Sequence, residues 1–141
     1  MILYRFLEEM KAYVKSKLNI DVLDVNTKGH TPQKTEIQFQ IMDNSEVDRY
    51  TTFESASIFA IPLQLTVFAF PTKMDGKVVS AKDTSIKIAD DLINILNAQS
   101  VVENNSRVKR VRLTTTSPAM PFDGGDKAYT TSIRYEFWVE K

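Results

Sequence analysis

Apolar residues recur every three or four positions at the start of the chain and alternate with polar residues in several later segments. The first spacing predicts an amphipathic helix over 2–18. Alternation predicts strands over 37–41, 110–115 and 129–139, the last being the most regular, and a short run over 22–25 predicts a further strand. A second helix is predicted over 81–98, with Ser80 or Asp83 as its N-cap and Ile86 in its buried stripe.

The segment 58–70 is the most apolar part of the chain. Its odd positions from Phe59 to Ala69 form one apolar face, and its even positions are half apolar. This pattern predicts a central strand that packs on both faces. Pro62 lacks a backbone N–H, so it suggests a bulge or an edge near the start of this strand.

The order helix, strands, helix, hairpin predicts a single α+β domain over 1–141. We expect a mixed or antiparallel β-sheet with two helices packed on one face and a long C-terminal β-hairpin. The predicted connections are a polar, acid-rich loop over 43–57, turns over 71–77 and at Asn104–Asn105, and the hairpin loop over 117–127.

Charge and composition narrow the function classes. The 141 residues include 18 basic and 18 acidic side chains, which give a formal net charge of zero, and there is no cysteine. This balance counts against a protein whose main partner is a polyanion, and the absence of thiols excludes thiol catalysis and thiolate metal sites. The longest apolar stretch is too short for a membrane helix, so we expect a soluble protein without a membrane partner.

The residues that could carry chemistry do not form a catalytic set. His30 is the only histidine, Asp90 and Asp91 are adjacent and point in different directions on the second predicted helix, and 123–126 lacks the spaced ligands of a calcium loop. We therefore expect no enzymatic activity, no catalytic residue, no metal and no cofactor.

A basic cluster is the clearest candidate for binding, and it comprises Arg107, Lys109, Arg110 and Arg112. These cations could guard an edge strand, bind nucleic acid, or pair with an acidic surface of another subunit. The candidate acids lie in the loop 43–57 and are Asp43, Glu46, Asp48 and Glu54. Trp138 is predicted to face outward, which fits either an interface or a packed second sheet face, and Phe122 lies in the hairpin loop.

Four segments resemble a known family. "IPLQLTVFAF", "SAKDTSIKIADDLINIL", "TTTSPAMPFDGG" and "YTTSIRYEFWVEK" are similar to the tail terminator proteins of long-tailed bacteriophages, also called tail-completion or minor capsid proteins. The resemblance covers the leading helix and most of the chain from about residue 35 onward. It lies in the order, size and character of the segments.

This resemblance implies a structural virion protein that forms a hexameric ring. Such a ring caps the finished tail tube, ends its polymerisation and joins the tail to the head. The implied partners are copies of the same chain, the tail tube protein and the head–tail connector or stopper protein, with DNA as cargo in the lumen. The implied location is the head–tail junction of the virion, after assembly in the host cytoplasm. Alternatives are another neck or head-completion component, or a small nucleic-acid-binding or ligand-binding domain.

Overall fold

Three helices and eight strands make up the part of the chain that the computed structural model describes, which is residues 2–24, 32–42, 58–122 and 127–140. For residues 2, 3, 58 and 59 only the backbone is described. The elements in chain order are α1 (Ile2–Leu18), β1 (Asp21–Asp24), β2 (Glu36–Ile41), β3 (Ile58–Ala69), β4 (Thr72–Met74), β5 (Lys77–Val79), α2 (Ala81–Ile95), α3 (Ala98–Asn104), β6 (Val108–Thr116), β7 (Met120–Pro121) and β8 (Tyr129–Glu140).

A mixed sheet forms one layer of the domain. Its strand order is β1-β2-β3-β8-β6, with β7 pairing on β8 beyond the end of β6. β1 and β2 are parallel, and the other pairs are antiparallel. The β6–β8 hairpin contains the predicted loop over 117–127, within which β7 forms two further pairs with β8. The domain is therefore α+β, as the sequence predicts.

Pro62 lies inside β3 without interrupting its pairing with β8. Its carbonyl accepts a 3.0 Å hydrogen bond from the backbone N–H of Met42. The N–H and C=O of one strand residue point to the same side, so the missing donor of Pro62 faces β2. The β2–β3 register ends at Ile41 opposite Leu63, so Pro62 lies at the margin of that pairing and β3 contains no bulge against β8.

All three helices contribute to one hydrophobic core on a single face of the sheet. Phe6 of α1 packs on Phe137 of β8 with ring centroids 5.3 Å apart. Ile88 and Leu92 of α2 and Val101 of α3 belong to the same buried cluster. The sheet contributes the alternate residues of β3 and β8 predicted to face inward, among them Ile61, Leu63, Leu65, Val67, Ile133, Tyr135, Phe137 and Val139. Within the described helices, none is long and apolar enough to span a membrane.

The second predicted helix is two helices. Ser80 caps α2 as predicted, with its hydroxyl accepting from the N–H of Asp83 at 3.2 Å. α2 ends at Ile95 because Asn97 has an extended backbone, and its side chain accepts from the N–H of Ser100 at 2.8 Å. That cap starts α3, so the segment predicted as one helix over 81–98 forms α2 and the beginning of α3.

Two other local predictions are wrong, and the position of one predicted turn is refined. Ile86 was expected in the buried stripe of α2 but is 41% exposed, because it lies on a flank of the helix. The turn predicted at Asn104–Asn105 begins at Asn105: the N–H of this buried residue donates to the carbonyl of Val101 at 2.8 Å and ends the last helix, and its carbonyl accepts from the N–H of Val108 at 3.0 Å. Thr115, which the alternation over 110–115 places on the same strand face as Val111 and Leu113, instead stands opposite Arg134, because a bulge in β6 shifts the alternation after Leu113.

The predicted turn over 71–77 contains part of a small hairpin formed by β4 and β5. Asp75 and Gly76 form its tip and have positive φ angles of 50° and 79°. Glycine adopts this conformation without strain, and aspartate is among the residues that tolerate it. The predicted loop over 43–57 lies outside the described residues.

Candidate interaction surface

Two of the four predicted basic interface residues have carboxylate partners in their own chain. Arg107 Nη2 lies 2.9 Å from Glu9 Oε1, and Lys109 Nζ lies 3.1 Å from Glu140 Oε2. Glu9 also accepts from Arg5 Nε at 3.0 Å and from the side-chain amide of Asn105. Arg107 is therefore part of the contact between α1 and the start of β6.

Arg110 and Arg112 lie on the outer face, which we define as the sheet face opposite the helices. The guanidinium of Arg110 lies 5.2 Å from the ring centroid of half-buried Trp138, which is within cation–π range. Trp138 Nε1 donates to Glu136 Oε1 at 2.7 Å, and Arg112 stands opposite Glu136 in the register. Within the described chain, neither arginine forms an ion pair. The structure therefore places Arg110, Arg112 and Trp138 at one end of the outer face.

The other end of the outer face is aromatic. Phe122 packs edge-on against Phe68, with ring centroids 5.3 Å apart and an interplanar angle of 88°. Met120 stands opposite Thr130 in the same region and is 56% exposed. Phe122 and Trp138, both predicted from the sequence as interface residues, thus mark different ends of one face.

Hydrogen-bonded polar side chains connect the two ends. Arg134 Nε donates to Gln64 Oε1 at 2.8 Å, and Gln64 Nε2 donates to Thr66 Oγ1 at 3.2 Å. The Thr66 and Ser132 hydroxyls are 3.1 Å apart. These bonds hold the polar side chains in defined positions between the cation–π pair and the two phenylalanines.

A separate cavity of about 990 Å³ lies among the C-terminal end of α1, one flank of α2 and the β4–β5 hairpin. Its charged groups are largely paired. Lys34 Nζ is 2.7 Å from Asp21 Oδ2, and this hydrogen bond and charge lower the pKa of Asp21 and raise that of Lys34. Lys87 Nζ lies 2.9 Å from Asp91 Oδ2. The charges of Asp21, Lys34, Lys87 and Asp91 are thus compensated by ion pairs within the cavity.

The remaining sequence candidates are not brought together. Asp43, Glu46, Asp48 and Glu54 lie outside the described residues, as do His30 and 123–126. Asp91 pairs with Lys87, and Asp90 lies on the opposite flank of α2. Among the residues described, no group of three or more histidine, aspartate or glutamate side chains could hold a metal ion.

Sequence reasoning missed Glu9 and Glu140 as partners of the basic cluster. Glu9 is separated from Arg107 by 98 positions, and no periodicity links residues so far apart. The signal available in the sequence was the four-residue spacing of Arg5 and Glu9, which places both on one face of α1 and marks Glu9 as a carboxylate that can pair with a cation.

Comparison with known proteins provides no family for the chain: no protein-family model matches it, and no curated protein matches it with significance.

Proposed function

We propose that this protein is a tail terminator, a structural virion subunit whose copies form a ring on the end of a phage tail tube. The observation that carries the proposal is the one-sided arrangement of the domain. All described helices pack on one face of the sheet, whereas Trp138, Arg110 and Arg112 lie on the other. Tryptophan and arginine are the residues most enriched among those that dominate binding energy at protein interfaces.

A ring of this kind acts through its geometry. Head-to-tail contacts between identical subunits form a closed ring when the rotation from one subunit to the next is a whole fraction of a full turn. The ring fits the last layer of the tail tube on one side and presents a different surface on the other. Tube subunits then have no template on which to add, and the second surface is free for the head–tail connector or stopper protein. DNA passes through the lumen without being read.

The charge distribution of the outer face supports contact between subunits. Arg107 and Lys109 are neutralised within the chain, whereas Arg110 and Arg112 have no carboxylate partner among the described residues. We propose that these two arginines face the acids of the neighbouring subunit, namely Asp43, Glu46, Asp48 and Glu54. Opposite charges brought together at an interface fix its register and suppress wrong partners.

Charge reversal tests this contact. We expect R110E/R112E to weaken ring assembly by at least tenfold in concentration at moderate salt, since like charges then meet. The matched control is K17E/K127E, which makes the same change in net charge on other surfaces. Analytical ultracentrifugation over a concentration series measures the effect. Equal assembly of the wild type and R110E/R112E would contradict the proposed contact.

A further inference from the structure

An apolar groove runs between α2 and the end of the β6 edge. Its volume is about 490 Å³, and its apolar lining includes Ile86, Ile93, Pro118 and Ala119. Helix α2 covers β3 and β8 but leaves this strip of the edge strand uncovered. Ile86 is 41% exposed at the margin, and buried Ile133 forms part of the floor. The groove thus offers apolar surface that the described chain leaves open.

The β6 edge is protected against strand pairing in one half and not in the other. Its first half carries Lys109, Arg110 and Arg112, which discourage pairing with another strand. From Leu113 to Pro121 the chain has no charged residue, and Leu113 is 41% exposed. β6 pairs only with β8 in the described structure, so its outer backbone edge is available along Thr114–Thr116. The unprotected half lies beside the groove.

The β4–β5 hairpin exposes an apolar side chain elsewhere on the same chain. It is a separate two-stranded sheet, and Val78 on it is 76% exposed, the highest value among the large apolar side chains with described exposure. Lys73 stands opposite Val78 in the register, so both project from one face of the hairpin. The hairpin thus presents an apolar side chain beside a positive charge, and the groove offers apolar walls with the carboxylate of Asp90 in its lining.

The hairpin and the groove lie on opposite flanks of α2. Thr84 and Lys87 face the cavity that borders the hairpin, whereas Ile86 and Asp90 face the groove. One chain therefore cannot place its own hairpin in its own groove without unfolding. A contact between two copies would use different surfaces on each, which is the head-to-tail arrangement from which rings are built.

We propose that the β4–β5 hairpin of one copy docks in the α2–β6 groove of the next. This inference rests on the proposed function and specifies one of the contacts that would form the ring. Val78 packs against Ile86 and Ile93, and one hairpin strand lies along the charge-free half of β6. Lys73 of the hairpin pairs with Asp90 at the rim of the neighbouring copy's groove. Lys82 lies on the same rim, and its positive charge disfavours the approach of further cations. The occupant is thus a second copy of this chain.

Site-directed disulfides test the contact directly, because the chain contains no cysteine of its own. Under mild oxidation, a mixture of V78C and I86C chains should give a covalent pair. The double variant V78C/I86C should give a ladder that ends at the ring. The control mixture of V78C with V102C places the second cysteine on α3, away from the groove, and should give no pair. Equal yields from the two mixtures would overturn the contact.

Charge substitutions give a second, independent measurement. V78E and I86E should each remain folded, since both side chains are exposed, and each alone should lose ring assembly. Mixed together they should form a one-to-one pair, because V78E retains an intact groove and I86E an intact hairpin. Circular dichroism checks the fold, and native mass spectrometry measures the assembly.

The outcomes separate the docking contact from the ring itself. A wild-type ring that survives both V78E and I86E would overturn the hairpin contact while leaving the ring in place. A wild-type chain that stays monomeric at high concentration would overturn both. Loss of the ring in each variant, with recovery of the pair in the mixture, would support both.

Discussion

Glu9 is the residue on which the contact between α1 and the start of β6 depends. Its carboxylate accepts from Arg5, Asn105 and Arg107, and Asn105 is itself buried. We expect E9A to lower the free energy of unfolding by about 2–3 kcal/mol, because it leaves a buried amide and a half-buried guanidinium without an acceptor. R5A removes only an exposed partner and should cost less than about 1 kcal/mol. Urea denaturation measures both, and equal losses would contradict this role of Glu9.

Tyr135 should make the protein sensitive to alkaline pH. Burial raises the pKa of Tyr135 from its ordinary 10.0 to about 12. Between those values the unfolded chain releases the phenol proton first, so the free energy of unfolding falls as pH rises. The complete effect is about 2–3 kcal/mol. Between pH 8 and pH 12, the free energy of unfolding of Y135F should fall by about 2–3 kcal/mol less than that of the wild type, as measured by denaturant titration. Parallel pH profiles of the two proteins would contradict this expectation.

Single residues were predicted best where local pattern decides their environment. Alternation along the last strand placed Trp138 outward and Phe137 inward, as found. The partners of charged residues were not predictable in this way. Arg107 and Lys109 find Glu9 and Glu140 only after α1 packs on the sheet and β6 pairs with β8.

At the scale of elements, a buried hydrogen bond joins α2 to β8. Thr131 Oγ1 donates to Ser85 Oγ at 3.1 Å, and Ser85 donates in turn to the carbonyl of Lys82 at 2.8 Å. S85A should cost about 1–2 kcal/mol, because it leaves a buried donor on Thr131 without an acceptor. T131V removes the donor instead and should cost less. Thermal and urea denaturation compare them, and a larger loss for T131V would contradict this polarity of the bond.

The longer elements were predictable because their periodicity extends over several turns or pairs. α1, β3 and β8 match the predicted segments closely. The β4–β5 hairpin was missed although Asp75–Gly76 is a hairpin turn signal, since three-residue strands are too short to show alternation. α3 was missed because a seven-residue helix adds only two turns to the preceding periodicity. The bulges in β6 depend on its pairing with β8, and no residue pattern in the sequence predicts them.

At the scale of the whole molecule, the formal net charge of zero includes both ion pairs within the chain, such as Arg107–Glu9 and Lys109–Glu140, and the arginines Arg110 and Arg112, which form no ion pair among the described residues. Salt should therefore affect the two proposed contacts differently. High ionic strength screens the interaction of Arg110 and Arg112 with acids, whereas a kosmotropic salt such as sulfate strengthens apolar burial around Val78. We expect ring assembly to weaken in concentrated sodium chloride and to recover in ammonium sulfate, as measured by light scattering. Equal responses to the two salts would contradict the presence of both contacts.

The formation of a closed ring by the isolated protein is the central claim. Native mass spectrometry combined with negative-stain electron microscopy of the same concentrated sample tests it most directly. The proposed function predicts one discrete oligomer, expected to be a hexamer, seen as a ring with a central opening wide enough for duplex DNA. A monomer that persists up to millimolar concentration, or an open-ended ladder of filaments, would contradict it.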